Sequence, residues 1–109
     1  MLAKILYSPE ALDDLTGIKE YIRDKLLNPD AAIRVITKIT KTIRKLEKTP
    51  QVGAPLTAVI GIDTDYRFVT SGNYLVFYRY CDKKCYIDRV LYKRRDYLSI
   101  LFGDIAEKT

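Results

Sequence analysis

The stretch DYRFVTSGNYLVFYRYCDKKCYIDRVLY, residues 65–92, decides the fold. It divides into three runs rich in aromatic and β-branched residues: DYRFVT (65–70), NYLVFYRY (73–80) and CYIDRVLY (85–92). Ser71-Gly72 and Asp82-Lys83-Lys84 stand between them as turns, so the stretch reads as three consecutive strands. A two-residue Lys83-Lys84 loop would set Arg79 opposite Asp88, a favourable cross-strand pair. A three-residue loop would shift that register by one, and the sequence leaves both open.

Beyond the third strand the chain continues KRRDYLSILF (93–102). Leu98, Ile100, Leu101 and Phe102 predict a short C-terminal helix packed on the sheet edge or on a partner. Three consecutive cations, Lys93, Arg94 and Arg95, fill the hand-over from strand to helix. Like charges repel, so something negative belongs nearby. It is either internal (Asp96, Asp88 or a carboxylate of the first helix) or external. At a surface their repulsion is tolerable, because charges are screened over about 8 Å at physiological salt. Burying all three unpaired would not be.

Toward the N-terminus, LAKILY (2–7) predicts a short strand. A helix follows, with Ser8 as N-cap, Pro9 at its first position and Glu10, Asp13 and Asp14 near the positive end of its dipole. Ala11, Leu15, Ile18, Ile22 and Leu26 make its apolar face. Gly17 weakens this helix by up to about 1 kcal/mol relative to alanine, which suggests a close packing contact there. Asn28-Pro29 ends this helix and starts another, whose buried stripe is Ala32, Val35, Ile36, Ile39, Ile43 and Leu46. Arg34, Lys38, Lys41, Lys45 and Lys48 form a cationic ridge on a different face, which reads as a solvated surface. Thr49-Pro50 and Gly53-Ala54-Pro55 close the second helix, and residues 51–64 are an unassigned connector. The whole is an α+β string, β-αα-βββ-α. A helical hairpin lies on one face of a mainly antiparallel four-stranded sheet, in a single domain over 1–109.

Composition narrows the chemistry. The 109 residues are 48% hydrophobic and 30% charged, with a formal charge of +5. The excess of bases lies in 29–48 and 65–96 and argues for an anionic partner. There is no histidine, so histidine-dependent triads and Cys/His zinc sites are excluded. Cys81 and Cys85, the only cysteines, read as a reduced structural pair near each other across a hairpin. No 18-residue apolar run and no secretory signal is visible, from which a cytoplasmic location follows by default. No metal or cofactor is indicated.

Together, SPEALDDLTGIKEYI, NPDAAIRVITKITKTIRKLEKTPQVGAPL, DYRFVTSGNYLVFYRY and IDRVLYKRRDYLSILF resemble the RelE/ParE superfamily, the toxins of type II toxin–antitoxin modules, from about residue 5 to 102. The resemblance implies a small basic toxin that inhibits growth. A cognate antitoxin, whose acidic or amphipathic tail wraps around it, would hold it inactive in a hetero-oligomer. It implies one of two targets. ParE-like members poison DNA gyrase and are not nucleases, whereas RelE-like members are endonucleases that cut messenger RNA on the ribosome.

The nuclease reading needs cations from the second strand, the third strand and the end of the fourth, with a tyrosine in the last helix orienting the substrate. Arg67 matches a second-strand cation, but its same-face neighbour is Val69. Leu75 stands at the third-strand arginine position, while Arg94 matches at the end of the fourth strand with Lys93 and Arg95 beside it. The helix tyrosine position falls near Ile100, and Tyr97 is one turn early. Tyr92 stands where some relatives have a histidine, and with an ordinary pKa near 10 it is no neutral-pH base. The catalytic set under this reading is Arg67, Arg94 and Tyr97. The target- or nucleic-acid-binding set under either reading is Lys93, Arg94, Arg95, Arg67 and Arg79. Half a nuclease constellation favours the gyrase reading. Arg67 and Arg79 also read as cross-strand structural residues. Tyr74, Tyr78, Tyr80 and Tyr92 are residues of the kind RNA-stacking platforms use, but core and sheet packing explains most of the nine tyrosines.

Overall fold

The computed structural model describes residues 2–103. Strand β1 (Lys4–Tyr7) leads into α1 (Pro9–Glu20), whose N-cap Ser8 accepts a hydrogen bond from the Ala11 N–H at 2.9 Å. A second helix, α2 (Pro29–Arg44), starts the same way, with the Asn28 side chain accepting from the Ala31 N–H at 3.1 Å. Then come β2 (Ala54–Pro55), α3 (Thr57–Ile60), β3 (Arg67–Ser71), β4 (Tyr74–Cys81), β5 (Lys84–Tyr92) and α4 (Tyr97–Phe102). The sheet order is β1-β5-β4-β3-β2, with β1 parallel to β5 and every other pair antiparallel.

The expected four strands are present, and a fifth lies in the connector. Ala54 and Pro55 pair with Phe68 and Arg67, a stretch too short to carry an alternating pattern. The last hairpin also differs from both expected loops. Cys81 pairs with Lys84, so the two-residue turn is Asp82-Lys83, both left-handed at φ 52° and 62°. That geometry matches the twist of the flanking strands. Arg79 therefore faces Tyr86 directly. A bulge between Phe77 and Tyr78 leaves Asp88 as an extra residue of β5, and the Arg79–Asp88 ion pair still closes at 2.8 Å as a diagonal contact.

Alternation along the strands makes two apolar faces. Val76, Tyr78, Cys85, Ile87 and Val90 pack with Ala11, Ile39, Ile43 and Leu46 under the helical hairpin. Burial of each large side chain in this layer contributes on the order of 1.5–3 kcal/mol. On the reverse face, Phe77 and Leu91 pack with Leu56, Ile60, Ile100, Leu101 and Phe102, so α3 and α4 cover the side away from the hairpin. The helices thus lie on both faces, and α4 caps a face rather than an edge. Cys85 is buried in the first layer and Cys81 is exposed; both thiols are free, and the two residues alternate to opposite faces.

Helix α1 departs from its stripe at the end. Residues Tyr21–Lys25 form a wide π turn, closed by the Leu26 N–H donating to the Tyr21 carbonyl at 3.2 Å. The extra residue rotates Leu26 outward, leaving it 57% exposed, while Ile22 stays buried. Gly17 has no neighbour within 4 Å of a built β-carbon, so the close contact expected there is absent.

Candidate functional site

Lys93, Arg94 and Arg95 form a strap between two anchored elements. The Lys93 N–H donates to the Asn73 carbonyl at 2.8 Å, tying the strap to the β3–β4 turn, and the Arg95 N–H donates back to Tyr92 at 2.9 Å. Asp96 then caps α4, accepting from the Ser99 N–H at 3.3 Å and the Ser99 hydroxyl at 2.8 Å. Packing of Tyr97, Ile100, Leu101 and Phe102 fixes the far end. All three cations are exposed, and none forms a salt bridge among the described residues. Two carboxylates that could have neutralised them are engaged elsewhere: Asp88 with Arg79, and Asp14 with Arg89.

The same rim gathers residues that the sequence pattern did not put together. Lys38 of α2 brings its Nζ to 3.8 Å from a β-carbon built on Gly72, in the β3–β4 turn. Tyr92 meets Tyr74 edge-on with ring centroids 5.9 Å apart. Burial, followed by the neighbouring Tyr92 and Tyr21 hydroxyls, raises the Tyr74 pKa above its ordinary value. The cationic ridge that contains Lys38, and Tyr92 directly before the strap, were visible in the sequence.

Arg67 and Arg79 lie elsewhere, in an open cleft of about 710 Å³ where β4 runs past the start of β3. The Arg67 guanidinium donates from Nη1 to the carbonyls of Gly53 at 2.8 Å and Gln51 at 3.2 Å, holding the connector down. Arg79 pairs with Asp88 and sits 5.9 and 5.8 Å from the ring centres of Tyr66 and Tyr86. Burial first, then the Asp88 carboxylate, pushes the Tyr66 hydroxyl's pKa up, so it stays protonated at neutral pH. Tyr97 stacks on Phe77 at 5.2 Å within the reverse apolar layer.

The candidate residues therefore divide into three places. Arg67 is level with Ile87 across the sheet, and Tyr92, where the strap begins, is five residues further along β5. That is about 16 Å at the usual strand rise.

Residues 5–97 match the model of a family described as the ParE toxin of the type II toxin–antitoxin system parDE. The fold is similar to a solved chain of the chromosomal ParDE toxin–antitoxin system from P. aeruginosa, with a TM-score of 0.70 and 18% identity. The likeness covers 84% of this chain and 96% of that one. No curated protein matches the sequence. No helix among the described residues is long and apolar enough to cross a membrane. With the family pattern running from β1 to the start of α4, and the fold shared with that ParDE chain, the protein belongs to the ParE family of type II toxins.

Proposed function

We propose that this chain inhibits growth by binding and poisoning DNA gyrase through the rim of Lys93, Arg94 and Arg95, without a catalytic centre of its own. A cognate antitoxin holds it inactive in a hetero-oligomer. The observation that carries the reading is the dispersal of the nuclease candidates. Cleavage by internal attack needs a base, a charge stabiliser and an acid within hydrogen-bond reach of one phosphate. Arg67 is tied to backbone carbonyls about 16 Å along the sheet from the strand end that carries Arg94. Between them the sheet presents Leu75, Phe77 and Leu91, packed under α4, where a substrate strand would need cations. The exposed strap, unpaired among the described residues, is what remains to meet an acidic target surface.

The test is expression from a tight promoter, with gyrase supercoiling assayed and messenger 5′ ends mapped. The expected result is blocked supercoiling with intact messages. Codon-phased cuts in translated transcripts would replace this reading with the RelE-like endonuclease. Unaffected growth would reduce the protein to antitoxin binding and co-repression of its operon. The same reading expects the neighbouring gene to encode a small acidic protein with a DNA-binding N-terminus, which co-purifies with this chain.

A further inference from the structure

We propose that the tip of the helical hairpin, where Leu26, Leu27 and Ile33 stand exposed, is a self-association surface that joins two copies of this chain about a twofold axis. The inference does not draw on the gyrase reading, and either can fail without the other.

Two local distortions put leucine side chains into water at this tip. The π turn at the end of α1 leaves Leu26 facing outward, and Leu27 follows in the left-handed region at φ 51°, 82% exposed. That backbone position is where a helix end ordinarily takes glycine, because a β-carbon is strained there. The Asn28 N–H reaches back to the Ile22 carbonyl at 3.2 Å while its side chain caps α2, so the turn is held from both helices. Glycine would close the same turn without strain and without an apolar side chain. A leucine kept there against its backbone preference points to a contact outside the monomer. Ile33 is 59% exposed and lies about 6 Å along α2 from Pro29, so it extends the apolar surface onto the second helix.

The surrounding charges select the occupant. Between residues 20 and 34, Glu20, Asp24 and Asp30 stand against Arg23, Lys25 and Arg34, a net of zero in a chain of +5. Arg23 and Asp24 already satisfy each other, Nε to Oδ1 at 2.7 Å and Nη2 to Oδ2 at 3.0 Å. An acidic partner finds no excess of cations here, and a lipid surface would need one beside the leucines. A second copy needs none. Mixed signs are self-complementary across a twofold axis, where an acid of one copy can face a base of the other. Three side chains fall well short of the roughly 800 Å² per partner that a stable dimer covers, so the pairing is weak, with a Kd on the order of 100 μM.

The experiment is sedimentation velocity of the purified full-length chain from about 10 to 500 μM, which spans that Kd. The expected result is a concentration-dependent shift from monomer to dimer and no further. Added salt should tighten the dimer, because screening relieves repulsion between two chains of +5 and leaves the apolar contact in place. Leu27→Gly should weaken association about tenfold or more. It should leave thermal unfolding of the dilute chain unchanged or later, since glycine accepts the left-handed turn. Leu27→Lys and Leu27→Glu should each be monomeric. An equal mixture of the two at low salt should pair again, which only a contact of the tip with itself allows. The proposal is overturned by a chain that stays monomeric at the highest concentration, since the tip would then serve a different protein. It is equally overturned by association that Leu27→Gly leaves intact, by association that salt dissolves, or by a mixture that stays monomeric.

Discussion

Arg89 and Arg94 stand five positions apart on one run of chain, and their surroundings are opposite. The Arg89 guanidinium meets Asp14 of α1 as a fork, Nε to Oδ2 and Nη2 to Oδ1, both at 2.8 Å. The side chains are only 25% and 11% exposed, and the same carboxylate accepts the Val90 N–H at 2.9 Å. Arg94 has no such partner among the described residues and faces water. The first half of β5 is bordered by β1 as far as Ile87. From there α1 substitutes for the missing strand: the Ser8 hydroxyl donates to the Asp88 carbonyl at 2.8 Å, and Asp14 takes the next free N–H on that edge. Past Tyr92 this internal accounting stops. One end of the sheet pairs its charges within the fold, and the other leaves them facing solvent.

The sharpest way to break that contrast is Asp14→Ala. It leaves a mostly buried guanidinium unpaired and the Val90 N–H without an acceptor, so unfolding free energy should fall by about 3 kcal/mol. A urea series at constant slope measures it, and a loss under 1 kcal/mol would mean the edge of β5 is not closed from α1. Next in size is Gly53→Ala. A β-carbon there would lie 2.6 Å from the Tyr78 hydroxyl and 2.9 Å from the Phe68 carbonyl, neither of which can swing away. That hydroxyl accepts from the Gly53 N–H at 3.0 Å and donates to the Pro50 carbonyl at 2.7 Å. The expected cost is about 2 kcal/mol, or on the order of 10 °C in Tm.

Tyr78 adds a pH signature to the closed end. Burial raises its pKa above 10.0, outweighing the hydrogen bond from Gly53, and burial is also the largest cause of the rise at Tyr7, Tyr66 and Tyr74. A folded-state pKa above the unfolded one means the folded chain holds its protons more tightly. That stability is complete below the ordinary value and is lost as pH climbs from there through the raised folded value. Urea midpoints should thus be flat with respect to these groups at neutral pH and fall above about pH 10, with a shallower fall in Tyr78→Phe.

What the sequence revealed follows the range of the interactions. Both helix starts were legible because Ser8-Pro9 and Asn28-Pro29 act on backbone three residues away. The β3–β5 runs were legible because each carries its own alternation. The Asp82-Lys83 turn was not, since a left-handed lysine has no local signature and the register is set by the sheet around it. Asp14 read as a first-turn acid favourable to the dipole; its partner lies 75 positions away, where no spacing rule reaches. At the site, the consecutive strap was plain in the sequence. Lys38 joined it only through folding, and Arg67, Arg79 and Tyr97 were drawn into the structure's own contacts.

Gly17 tests whether the outer side of α1 is as open as the rim. With nothing near a built β-carbon and no positive φ, alanine fits and removes backbone freedom from the unfolded chain. Gly17→Ala should raise stability by about 0.5–1 kcal/mol. A loss instead would mean that α1 is closely packed at this point.

The smallest effect on stability is expected at the rim and is the most informative. Replacing Arg94 and Arg95 by alanine removes two positive charges that contact no carboxylate among the described residues, so unfolding free energy should stay within about 0.5 kcal/mol of the parent. A slight gain is expected at low salt, from relief of repulsion with Lys93, and it should vanish as screening increases. Growth inhibition on expression should nevertheless be lost, because the charges removed are those the fold does not use. Set beside Asp14→Ala, the pair forms a crossed test. One substitution is expected to lower stability through a carboxylate paired inside the fold, and the other to lower activity through cations that no carboxylate among the described residues holds. Should the rim variant unfold early, Arg94 and Arg95 would belong with Arg89, and the division between the two ends of the sheet would disappear.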